Sequence, residues 1–117
     1  MKIEKSLAEY LVSSKFEEIP KAAVEATKAQ IINILSAIIG GSSADGISPL
    51  IRLLQDWGGK PESTVIQYGL KLPASRAAQA NASMGHALDF DDTYNKMTLH
   101  VAVVTVPPAT LDMVRLY

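Results

Sequence analysis

The sequence predicts an all-α fold, a helical bundle carrying at most one or two short strands. Three observations carry that expectation. Apolar residues recur at three- and four-residue spacing through successive segments, as in helices that bury one face. Glycine pairs and prolines punctuate the ends of those segments, where helices start and stop. Only one short run, Thr64–Tyr68, combines β-branched and aromatic residues, and Gly69 closes it.

The first helix is expected over Ser6–Ser14, with Leu7, Tyr10 and Leu11 on one face. Ser6, followed three residues later by Glu9, has the pattern of a capping box. Phe16 and Ile19 flank an acidic pair in the next loop. Pro20 opens a second helix, at a position where its missing N–H costs nothing. This helix is expected to reach about Ile39. Ala23, Ala26 and Thr27 form a stripe in its first half, with Lys21, Glu25 and Lys28 facing water. Its second half, Ile31–Ile39, is apolar nearly all round, so burial on most sides is expected. The isoleucines also suit a strand, but the helical lead-in and the length favour helix. Gly40 and Gly41 are expected to end it in a left-handed cap.

A third helix is expected over Pro49–Trp57, with Leu50, Leu53, Leu54 and Trp57 on one face and Gly58-Gly59 as its stop. The Thr64–Tyr68 strand follows, with no evident partner. The fourth helix runs from Pro73 to about Leu88 and is built mainly of alanine, serine and glycine. Small side chains let neighbouring backbones come close, so a central position in the bundle is expected. Gly85 costs about 1 kcal/mol of helix propensity relative to alanine. A close backbone or ligand accounts for it, and so does simple tolerance. Val101–Val106 reads as β by local propensity. Pro107-Pro108 then opens a last helix, Ala109–Tyr117, whose Leu111, Val114 and Leu116 have nothing after them to pack against.

A chain of 117 residues is one domain or a piece of a larger one. Hydrophobic residues make up 48%, enough for a packed core. The net charge of −1, with interspersed signs, lacks the basic face of a nucleic-acid binder. It also lacks a polybasic membrane anchor. Without cysteine there is no disulfide, thiolate zinc site or cysteine-ligated iron–sulfur cluster. The amino-terminal residues lack the apolar core of a signal peptide. The Ile31–Ile39 run is short of the roughly 20 residues that span a bilayer. A soluble, cytoplasmic protein is expected, with neither nucleic acid nor membrane as partner.

The chemistry concentrates in Asn81–His100. This stretch holds both histidines together with Asp89, Asp91 and Asp92. Clustered carboxylates repel one another, and they occur at metal sites, at acid/base sites and on solvated loops. A wet acidic loop is the plain reading. Acidic groups are misplaced at the negative end of a helix dipole, which speaks against chance. His86, three residues before Asp89, lies on nearly the same helix face. It can hydrogen-bond Asp89 or simply pack beneath the helix. His100 follows a flexible polar loop and precedes an apolar run. An imidazole there suits general acid/base work, and a structural role stands beside that reading. Asp89, Asp91, Asp92 and His100 could also ligate a divalent ion. Their spacing lacks the glycine and terminal glutamate of a calcium loop, and there is no His-x-x-x-His zinc pair. No nucleophile elbow, phosphate-binding loop or dinucleotide fingerprint is present.

The segment Asn81-Ala82-Ser83-Met84-Gly85-His86-Ala87-Leu88-Asp89-Phe90-Asp91-Asp92-Thr93, followed by His100, resembles the MmgE/PrpD family. That family includes 2-methylcitrate dehydratase, cis-aconitate decarboxylase and iminodisuccinate epimerase. Leu7-Ala8-Glu9-Tyr10-Leu11, the Ile19-Pro20 helix start, Gly40-Gly41-Ser42 and Val104-Thr105-Val106-Pro107 extend the likeness over nearly the whole chain. The resemblance implies a large helical domain joined to a smaller α/β lid, with the active site between them. It also implies homodimers and no iron–sulfur cluster, and no cofactor is expected. Asp89, Thr93 and His100 resemble the family's active-site aspartate, threonine and histidine. Asp92 is expected to orient the loop, and His86 and Asp91 to support it. Family members usually carry proline after this histidine, and Val101 stands there instead.

The implied chemistry is removal of a proton alpha to a carboxylate, with loss of water or carbon dioxide. The substrates are di- or tricarboxylates. Thr93 is expected to bind a substrate carboxylate, and Lys96 is the nearby cation. Family enzymes are several times longer, so residues 1–117 are expected to be the amino-terminal segment of the helical domain, inactive alone. Among the family's reactions, 2-methylcitrate dehydration is favoured, with decarboxylation and epimerisation as alternatives. The contrasting reading is a non-catalytic helical fragment for interaction or oligomerisation, with apolar faces exposed on helices two, four and five.

Overall fold

Small residues decide how this chain packs. In the computed structural model, which describes residues 2–113 and side chains as far as Ala109, the elements follow in the order α1 (Ile3–Ser13), a 3₁₀ turn (Phe16–Glu18), α2 (Lys21–Gly41), α3 (Ile47–Asp56), β1 (Ser63–Val65), β2 (Leu70–Leu72), α4 (Ala74–His86) and α5 (Val101–Met113). The mostly helical class is as expected. Helix α4 is central, packing against α2, α3, α5 and both strands. Its buried residues are Ala77, Ala80, Asn81, Met84 and Gly85. With so little side chain on this face, neighbouring helices come close. A Cβ on Gly85 would stand 2.9 Å from Ile34 Cδ1 and 3.3 Å from Val103 Cγ2. Close approach is therefore the reason for this glycine.

Helix α2 corrects two expectations. Gly40 and Gly41 lie inside it and have no left-handed φ. Gly41 is buried against the backbone of Met84 on α4, so it serves packing and not capping. The isoleucine-rich half is buried along one face only. Ile34, Ala37 and Ile38 are covered, whereas Ile32 and Ile39 are at least half exposed. The whole helix is also long and apolar enough, by length and composition, to cross a membrane, unlike its central run alone. Its buried face is the one that meets α4 and α5.

Helix α1 begins at Ile3, so Ser6 lies within it and no side chain caps its start. Leu7, Tyr10 and Leu11 share a face, but that face is exposed. Helix α3 starts at Ile47, before Pro49, after Gly46 in a left-handed conformation. This earlier start recruits Ile47, and the buried stripe becomes Ile47, Ile51 and Leu54. Leu53 and Trp57 remain about half exposed. Trp57 instead receives the Arg76 guanidinium 5.4 Å from its ring centroid. Arg76 also donates to the Gly58 carbonyl. Gly58 and Gly59 end α3 with positive φ, as expected.

The expected strand is shorter than Thr64–Tyr68. Gln67 and Gly69 both have positive φ, and the chain reverses there to pair Ser63 with Leu72 and Val65 with Leu70. The partner strand was hidden because three residues carry little periodic signal. Buried Asn81 ties this hairpin to α4. Its Oδ1 accepts from Ile66 N–H at 3.0 Å, and its Nδ2 donates to the Thr64 carbonyl at 3.1 Å.

Val101–Val106 is helix, not strand. Helix α5 starts at Val101 and passes through Pro107 and Pro108. Those prolines remove two N–H donors from the helix interior. Packing overrides propensity, since Ala102 and Val103 are buried in the common core. The side chains of Leu111, Val114 and Leu116 lie outside the described residues.

Candidate functional site

The end of α4 creates the site. After His86 the chain makes one more helical residue, Ala87. Asp89 then takes a left-handed φ of 52° while its N–H donates to the His86 carbonyl at 3.0 Å. Aspartate tolerates this conformation better than most residues. The turn brings Asp91 back beneath the helix end, where its side chain has no solvent exposure.

Asp91 is the centre of the arrangement. His86 Nδ1 lies 3.0 Å from its Oδ1 and 3.2 Å from its Oδ2. His100 Nδ1 lies 3.2 Å from the same Oδ2. That second separation is an ionic contact and not a hydrogen bond, because the ring N–H direction misses the oxygen and leaves Nδ1 buried without a hydrogen-bond partner. On its other side, His100 Nε2 is 3.8 Å from Asp89 Oδ1. The two imidazoles meet edge to face, with centroids 4.7 Å apart. A buried carboxylate needs such partners, since an isolated charge out of water is strongly disfavoured.

Of the two readings of His86, the hydrogen bond to Asp89 is not the one formed, since its Nδ1 pairs with Asp91. Helical spacing ends at His86, so Asp89 is turned away and Asp91 takes its place. No spacing rule singles out Asp91, because the left-handed turn at Asp89 breaks the helical period.

Asp92 faces the other way. Its Oδ1 accepts from Ala102 N–H at 2.9 Å, in the first turn of α5. A carboxylate at a helix N-terminus satisfies a free donor and complements the dipole. His100 immediately precedes that helix, so Asp92 fixes the backbone next to it. Asp92 also lines a cleft of about 250 Å³ between α2 and α5.

The loop before His100 is a closed turn. Tyr94 pairs with Leu99 in an antiparallel bridge, and Tyr94 N–H donates to the Leu99 carbonyl at 2.7 Å. Met97 N–H donates to the Tyr94 carbonyl at 3.1 Å. Thr93 and Lys96 are exposed on this loop. No hydrogen bond or ion pair joins either to the cluster among the described residues.

One ligand atom each from His86, Asp89, Asp91 and His100 lies within 4.8 Å of all the others. Two imidazoles and two carboxylates could hold a divalent transition metal. This set differs from the one read off the sequence, with His86 in place of Asp92. The His86–Asp91 hydrogen bond and the ion pairs account for the same closeness without an ion. Chemically, imidazoles backed by a buried carboxylate form a proton-transfer arrangement.

No curated protein matches the chain. The MmgE/PrpD N-terminal domain matches residues 5–111, which includes every residue of the cluster. By that match the chain belongs to the MmgE/PrpD family.

Proposed function

We propose that this chain carries the acid/base half of a lyase site for polycarboxylates, of the 2-methylcitrate dehydratase kind. His100 takes or returns the proton alpha to a substrate carboxylate. Asp89 stabilises the resulting imidazolium, and Thr93 hydrogen-bonds a substrate carboxylate with Lys96 beside it. The observation that carries this reading is the placement of His100 between Asp89 and Asp91, one carboxylate against each ring nitrogen. Enolate-like charge needs cationic or N–H donors opposite the base. The cluster supplies carboxylates and imidazoles, and Lys96 is the cation on its loop. The chain alone is therefore inactive in this reading, and works in a cytoplasmic homodimer in which positive charge from outside this cluster completes the site.

The test is a graft of residues 5–111 in place of the matching segment of a complete family dehydratase. The isolated chain should give no unsaturated product from 2-methylcitrate, and the graft should give it. A folded graft that releases carbon dioxide from cis-aconitate, or epimerises iminodisuccinate, would move the assignment to another reaction of the family. A folded graft inert towards all three substrates would end the lyase reading.

A second reading, a helical interaction fragment, is favoured by α1. Ile3, Leu7, Leu11 and Val12 are all more than half exposed there. Sedimentation of the chain decides it, and a strictly monomeric species would contradict it.

A further inference from the structure

We infer that Asp91 is a positioning residue for both imidazoles, holding each with its proton on Nδ1 and its lone pair on Nε2. An ionised carboxylate only accepts hydrogen bonds. His86 Nδ1 sits 3.0 Å and 3.2 Å from the two oxygens of Asp91, so it must carry the proton. At His100, Nδ1 is buried and 3.2 Å from Asp91 Oδ2. A lone pair there would lie 3.2 Å from the carboxylate, also off axis, with repulsion and no donor to offset it. An N–H there is attracted even off axis, and catalytic hydrogen bonds are often poorly aligned before substrate binds. Which ring nitrogen is protonated follows from what the other nitrogen touches. One buried carboxylate therefore sets both rings, against the Nε2–H form that a free imidazole prefers in water.

The consequence rests on the lyase reading. The site then offers two basic nitrogens on adjacent rings, not one. His100 Nε2 can take the proton from carbon as the carbon–oxygen bond breaks and the double bond forms. His86, once its basic Nε2 has taken a second proton from water, can give that proton to the departing hydroxide, which leaves as water. His100 ends protonated beside Asp89, and His86 neutral.

The test uses no substrate, so it stands or falls apart from the lyase reading. Long-range nitrogen–proton spectra of the ¹⁵N-labelled chain, taken after chelator treatment and with both rings neutral, report the tautomers directly. Both rings are expected to show protonated Nδ1 and bare Nε2. In Asp91→Ala both should revert to Nε2–H, and in Asp91→Asn at least one should. Nε2–H on either ring of the unaltered chain would overturn the inference. So would Asp91→Ala keeping both Nδ1–H forms with a native amide spectrum. Ring signals that change when a chelator is added would also overturn it, because a metal and not Asp91 would then set the rings. If the variants do not fold, the spectrum of the unaltered chain decides.

Discussion

Met84 sets its carbonyl carbon 3.1 Å from where a Cβ on Gly41 would stand, and the Ala87 methyl lies 3.3 Å from the same point. The obstacle is helix backbone, which cannot rotate aside. Gly41→Ala should therefore force α2 and α4 apart and destabilise the chain by about 2–3 kcal/mol, the upper range for overpacking. Its neighbour Gly40 meets only Leu88 Cδ1, at an ordinary 3.8 Å. Gly40→Ala should be neutral or stabilising by up to about 1 kcal/mol, through reduced backbone entropy. Urea unfolding of the two variants gives opposite shifts if these contacts govern, and equal shifts if both glycines serve only as a helix stop.

The hairpin depends on one amide. Asn81 accepts from Ile66 N–H and donates to the Thr64 carbonyl. Asn81→Ala would leave both backbone groups, in a partly buried place, without their partner. A loss of about 1–3 kcal/mol is expected by urea unfolding, the cost of unsatisfied buried groups. Unchanged stability would mean that water replaces the amide.

Asp92 should separate capping from chemistry. Asp92→Ala removes the acceptor for Ala102 N–H and should cost about 0.5–2 kcal/mol, as for other caps. Asp92→Asn keeps an acceptor oxygen and should cost much less. Hydrogen exchange should rise first at the amides that open α5. Equal effects of the two substitutions would place the role of Asp92 in its charge.

The helical class, the central place of α4 and the stretch that holds the histidine–carboxylate cluster were legible in the sequence. Small residues and the Asp-Phe-Asp-Asp-Thr segment are local signals. The errors came where tertiary contacts outweigh local preference. Val101–Val106 looks like a strand and is helical because Ala102 and Val103 are needed in the core. Gly41 looks like a cap and is a contact surface, which only the position of Met84 reveals. The β2 strand of three residues is too short to show periodicity. Asp91 is given a supporting role by the resemblance, which marks Asp89, Thr93 and His100; its contacts with both histidines depend on where the chain stops being helical. The left-handed turn at Asp89 decides which carboxylate reaches the histidines.

The role of His100 is tested most directly by turnover of 2-methylcitrate in the active graft, with and without His100→Ala. Loss of a general acid/base should lower kcat by about 10²–10⁴-fold, with the melting profile unchanged. Full turnover in the folded His100→Ala graft would contradict the assignment of His100 as the proton-transfer group.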